Sequence, residues 1–418
     1  MPLDAKIIVL PIFIACYALA ISRKVKLAYI STGTLAALII LGIISWQDTI
    51  FQAIQWDVLA VIWGFMMVSF VFSESKVPEL IANKILTHIK TEKYALLALC
   101  ALSAFLSAFM ANVAVLFLMA PIAMQMARKL GSPLFRYIVS VGVCANMVTT
   151  TTIIADPPAL ILAAQTGLRP LDFYWFQGKL GLGSITILGV TAALLVLLFL
   201  LKDMTKKIEI APEAISVSKL PSLLFVFGIV VLAIAPQIGV STGVVGIAVG
   251  FVALLLGRKK LKQMLYEFDW NSFIFLASIF GVIYTVTTSG LLLDFAQAAV
   301  AMGITDPIVM LASVMWLSVG LSTFIDPNAY TVLMIPLCQQ LANLANISAW
   351  PLLFGTLVAT GSGANILPMG AATNVFACGL LEKQNCLVST KEYMKIGLPL
   401  SVTAVATSNI ILWFVWLR

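Results

Sequence analysis

The sequence predicts an all-α polytopic membrane protein, an inverted repeat with about ten transmembrane helices, two re-entrant helical hairpins and two broken helices. Three observations carry that prediction. Of the 418 residues, 61% are hydrophobic and 10% charged; soluble domains run at about 45–50% and about 25%, so the charges are too few to solvate a globular surface. The apolar runs are joined by short loops that alternate between rich and poor in Lys and Arg, the asymmetry that orients membrane helices. The two halves of the chain also share a block of letters while reversing that charge order.

The first span covers about 7–21, after Asp4 and Lys6 and with no small-residue cleavage site, so it reads as a helix that is kept. Arg23, Lys24 and Lys26 follow it and place that loop in the cytoplasm, with the N-terminus outside. Span two, 27–45, leads to an external loop without Lys or Arg, and span three, 58–72, returns to a basic amphipathic stretch at 74–93. The runs 94–110 and 113–127 have basic residues at both outer ends, so they form a hairpin, 94–127, that enters and leaves by the cytoplasmic face with its tip at Ser107–Asn112. Segment 134–165 is too polar in its middle for one plain helix. It reads as a helix to about Val148, an unwound stretch with Thr149–Thr152, and a half-helix starting at Pro157, since proline suits a first helical turn. Span 180–201 returns inside to the polar linker 203–219.

The second half, 220–418, repeats this plan upside down after the first repeat, 1–202. Spans at 220–235, 240–256 and 273–288 flank the basic loop Arg258–Lys262. A hairpin at 308–341 has no Lys or Arg near either end and so enters from outside, with its tip at 322–328. A second interrupted helix, 350–381, is broken around Gly361–Asn365 and Gly370–Asn374, and a last span, 396–416, leaves the C-terminus outside. Leu106-Ser107-Ala108-Phe109 with Met119 and Pro121 matches Leu321-Ser322-Thr323-Phe324 with Met334 and Pro336 at a constant offset of 215 residues. Copies of opposite topology are the plan of secondary transporters, which bind solute near the midplane at discontinuous helices.

The candidate binding residues fall at these breaks: Ser107, Asn112, Asn146, Thr149, Thr150, Thr151 and Asp156 in the first half, and Ser322, Asp326, Asn328, Ser362, Asn365, Thr373 and Asn374 in the second. A single Ser or Thr in a membrane helix is usually packing; clustering at four symmetric breaks points to binding. Half-helix N-termini attract anions, while carbonyl and side-chain oxygens suit Na⁺. Asp156 and Asp326 are each read either as a proton or ion site or as a helix N-cap. No Lys or Arg lies in these stretches to clamp a multivalent anion.

Other classes fit poorly. The net charge of +7 sits in loops without a basic, aromatic-interleaved stripe, so nucleic acid is not expected as a partner. A single histidine cannot make an HExxH pair, and neither aspartate lies in a GxGD context, so an enzyme is not expected. The six cysteines form no CxxC pair and read as packing, and no cofactor or metal is expected beyond a coupling H⁺ or Na⁺.

At the breaks the sequence resembles the ion transporter superfamily. Ser-Ala-Phe-Met-Ala-Asn-Val at 107–113 is similar to that family's first hairpin tip, Ala155-Asp156-Pro157-Pro158-Ala159 to its Gly-Asp-Pro-Pro-Asn element, and Met369–Val375 to its second broken helix. Within it, the branch of arsenite permeases and NhaD-type sodium–proton antiporters is the most similar. The resemblance implies a scaffold domain and a mobile transport domain, often in a homodimer, that move solute by an elevator-like displacement. Antiporters of that branch commonly carry Asp-Asn at the first tip, where this chain has Ala111-Asn112, as arsenite permeases tend to have. The expected function is efflux of arsenite or antimonite in exchange for protons, from a bacterial plasma (inner) membrane, with solute and membrane lipid as the partners. The alternative is a Na⁺-coupled dicarboxylate or sulfate symporter, or a Na⁺/H⁺ antiporter.

Overall fold

The structure is a computed structural model and describes residues 3–22, 24–209 and 215–418. Arg23 of the first basic loop and residues 210–214 of the linker lie outside the described residues. Apart from one two-stranded hairpin, the described regular structure is helical, as an apolar solvent requires of a backbone that must satisfy its own polar groups. Among the described residues, six helices are long and apolar enough to cross a membrane: Trp56–Glu74, Asn112–Leu130, Leu182–Leu200, Lys219–Ile238, Trp270–Thr288 and Thr390–Leu417.

The helices sort into two groups by what they pack against. The first holds Leu3–Ser22, Leu27–Ile40, Trp56–Glu74, Lys219–Ile234, Thr242–Leu256 and Trp270–Thr288. Its tightest contact is backbone to backbone: a Cβ added to Gly64 would lie 1.8 Å from the Gly246 carbonyl oxygen. Only small residues allow that approach, the usual device of helix pairs that cannot draw on water-driven burial. The second group holds Glu92–Ser107, Asn112–Leu130, Leu134–Asn146, Pro157–Thr166, Leu182–Leu200, Pro307–Ser322, Pro327–Ala345, Trp350–Gly363, Ala372–Glu382 and Thr390–Leu412.

Two shorter helices lie between the groups. Val77–Leu86 follows Lys76, whose φ of 60° turns the chain sharply, and packs on both arms of the first hairpin. Leu291–Ala301 follows Gly290, at φ 82°, and packs on Pro327–Ala345. The second of these was not anticipated, nor was the two-residue turn at Gln177-Gly178, both at positive φ, which closes the antiparallel pair Trp175–Phe176 and Lys179–Leu180.

The linker is not a free tether along its first stretch. The Ile208 amide donates to the Lys90 carbonyl (3.0 Å) and the Glu92 amide to the Lys206 carbonyl (2.9 Å). The Lys206 ammonium donates to the Leu130 carbonyl at 2.6 Å, a cation at a helix C-terminus. Arg136 pairs with Asp203 at 2.6 Å. Residues 203–209 therefore tie the base of the first hairpin to the start of Leu134–Asn146.

Candidate functional site

Each break has a local cause. The first hairpin loses its helix between Ser107 and Asn112, and the second between Ser322 and Pro327, where proline restarts it. Asp156, before Pro157, is extended at φ −158°, ψ 153°, as a residue preceding proline tends to be. Helix Trp350–Gly363 stops before the irregular stretch 364–371, and Ala372–Glu382 follows.

The breaks meet through asparagines. Asn112 Nδ2 donates to Asn146 Oδ1 (3.0 Å), Asn146 Nδ2 to Asn365 Oδ1 (2.9 Å), and Asn365 Nδ2 to the Gly361 carbonyl (3.2 Å). The order is fixed from its end: a carbonyl only accepts, so Asn365 presents its nitrogen there, and the direction propagates back to Asn112. The chain thus ends on Asn112 Oδ1, which is buried and has no hydrogen-bond partner in the protein. The same logic holds at Asn374, whose Nδ2 donates to the Ala364 carbonyl at 3.0 Å and whose Oδ1 is likewise buried and unpartnered. Ser107 Oγ, Thr151 Oγ1 and Asn328 Oδ1 share that condition.

Other predicted residues serve the frame. Thr149 lies across from Gly361, where a Cβ would sit 2.2 Å from its Oγ1, and Ser322 lies across from Gly363 at 2.6 Å on the same measure. Thr150 bonds Thr186 of Leu182–Leu200 at 2.9 Å, so its hydroxyl is used in packing. Thr152, the last of the four threonines in the first unwound stretch, donates to the Ala108 carbonyl and so holds the first tip. The Ser362 carbonyl accepts from Ser401 at 2.7 Å. Thr373 is buried at the start of Ala372–Glu382. Ser401 and Thr186 were missed because they sit in plain apolar helices, with no local letter to mark them. Cys144 lies against Cys100 of the hairpin arm and Cys338 lies 3.3 Å from Thr356.

The two aspartates separate. Asp326 accepts from the Asn328 amide (2.9 Å) and the Ala329 amide (3.3 Å), an N-cap. Asp156 makes no side-chain cap bond. The half-helices they precede pack together, and the two carboxylates lie within Coulombic range of each other.

Apolar helices in this number, with paired interruptions lined by hydroxyl and amide groups, define a multi-pass membrane transporter. Residues 17–359 match the model of the CitMHS family, described as citrate transporters, and the chain belongs to that family. It is 22% identical to an uncharacterised transporter of Mycobacterium tuberculosis, with 97% of this chain and 98% of the relative covered. It is 23% identical to the P protein of Mus musculus, covering 88% of this chain but 55% of that longer protein. The crystal structure of the YdaH transporter of Alcanivorax borkumensis shares the fold, with a TM-score of 0.57 at 15% identity over 91% of this chain and 89% of that one.

Proposed function

We propose that this chain is a secondary active transporter that moves a small carboxylate or other oxyanion together with a coupling cation. The observation that carries the proposal is the set of buried oxygens without a protein partner at Ser107, Asn112, Thr151, Asn328 and Asn374. Three of them are amide carbonyls, which can only accept. Leaving a buried acceptor unmade costs about 1–3 kcal/mol, and a hard cation with oxygen ligands relieves that cost, with Na⁺ as the first candidate. The half-helix N-termini and the cation would then attract the anion that no Lys or Arg at the breaks can clamp. The description of the matched family as citrate transporters favours a carboxylate as the solute.

In this reading the six-helix group is the scaffold, the ten-helix group is the transport domain, and 1–202 and 220–418 are inverted repeats around the linker. Asn146, Thr149, Ser322, Ser362, Asn365 and Thr373 shape the site, Thr150 packs behind it, and Asp326 holds the second tip. The protein works in a bacterial plasma membrane with both termini external, as a homodimer. A second reading, proton-coupled efflux of arsenite or antimonite as in the arsenite permease and NhaD-type branch, is favoured by Asp156, whose carboxylate caps no helix, and by the Ala111-Asn112 tip.

Flux of citrate, succinate and arsenite into proteoliposomes, under a Na⁺ gradient alone and then a pH gradient alone, tests both. Carboxylate uptake that needs Na⁺ supports the first reading. Arsenite movement driven by the pH gradient alone replaces it with the second.

A further inference from the structure

Each hairpin tip touches the six-helix group through an aromatic side chain. At the first tip, the Phe109 ring stands edge-on to Phe225 at 6.3 Å and 79°, and Phe225 in turn stacks on Phe72 at 4.1 Å and 7°. At the second tip, the buried Tyr17 of Leu3–Ser22 donates its hydroxyl to the Ala329 carbonyl at 2.8 Å, across 312 positions of sequence. Tyr17 is itself seated on Phe13, at 4.7 Å between ring centroids. Phe109 corresponds to Phe324 in the repeated block.

We infer that Tyr17 is a latch that holds the second hairpin tip against the six-helix group in this conformation, and that transport requires the latch to open. The inference rests on the reading above, in which the ten-helix group is displaced against the other six. Ala329 is held at both its backbone polar groups, with Asp326 accepting from its N–H and Tyr17 donating to its C=O. The residue before it is Asn328, one of those with a buried, unpartnered oxygen. Ala329 lies inside a helix, where the N–H four residues on serves that carbonyl, so the backbone does not need Tyr17. A phenylalanine would fill the same volume and lose only the link. Any slide of one group past the other must break this bond and lift Phe109 off Phe225, so these contacts weight the balance between conformations.

The loss of one neutral hydrogen bond shifts a two-state ratio by about 2- to 10-fold. The test is amide hydrogen exchange of the full chain in lipid nanodiscs, without solute, for wild type, Tyr17→Phe and Phe225→Leu. Tyr17→Phe should speed exchange about 2- to 10-fold over 323–331 and leave 106–112 at the wild-type rate. Phe225→Leu should do the reverse, and it tests the two-contact arrangement even if the Tyr17 variant fails to fold. Equal protection of the second tip in wild type and Tyr17→Phe overturns the latch, and so does faster exchange spread over the whole chain. A wild type that carries no solute while the exchange pattern holds would sink the transport reading and leave the contact standing.

Discussion

Asn146 receives a bond from Asn112 and gives one to Asn365, so it joins three breaks with one side chain that is only 4% exposed. Asn146→Ala removes both bonds and leaves two buried groups unmade, which should cost about 2–4 kcal/mol in thermal unfolding in detergent. Asn112→Ala leaves one buried acceptor, Asn146 Oδ1, unmade but also removes an unpartnered one, Asn112 Oδ1, so its net cost should be about 1 kcal/mol or less. Equal losses for the two would contradict the order of the network. The aspartates invite a paired test. Asp326→Ala deletes a cap and should destabilise by about 1 kcal/mol, whereas Asp156→Asn removes no cap bond and should leave stability within about 0.5 kcal/mol while reducing pH-dependent flux if Asp156 carries the proton. The letters Asp-Pro occur at both sites, so sequence alone left the cap and the ion site open for each. The difference lies in the side-chain conformation, which no one-dimensional pattern encodes.

At the scale of elements, the breaks were legible because Pro157, Pro327 and the Gly-rich run at 361–363 leave strong local marks. What stayed hidden was short or paired at long range. Leu291–Ala301 has 11 residues and begins after a glycine in the left-handed region, with no length of its own to distinguish it from loop. The strap formed by 203–209 on 90–93 depends on backbone pairing between segments over a hundred residues apart, for which the sequence carries no signal. The contact of Trp56–Glu74 with Thr242–Leu256 yields a direct prediction. In Gly64→Ala the new methyl would meet the backbone of Gly246, with its carbonyl carbon at 2.5 Å and its oxygen closer still. Backbone cannot step aside as a flexible side chain can, so the helices must part. The expected loss is about 1–3 kcal/mol, read as a lower melting temperature, whereas Gly33→Ala, with nothing within 4 Å of its Cβ, should be close to neutral.

For the whole molecule, composition alone gave the membrane class, because 10% charge cannot cover a soluble surface. The division into groups of six and ten helices was beyond composition and periodicity, since every apolar helix shows the same face to lipid as to a neighbour. Which helices pair depends on complementary small residues, such as Gly64 with Gly246, that are visible only once they are side by side. The arrangement puts the asparagine chain inside the larger group, and Phe109 and Ala329 at its margins with the smaller one. Cation-coupled transport follows if those oxygens bind a cation in one conformation and give it up in another.

That binding is tested most directly by the melting temperature of the purified wild type and of Asn112→Ala in detergent, as NaCl replaces choline chloride at constant ionic strength. Ligand that binds the folded state alone raises its stability with concentration. The account predicts a rise in melting temperature with Na⁺ for the wild type and little or none for Asn112→Ala. A wild type that melts at the same temperature in Na⁺ as in choline would contradict it.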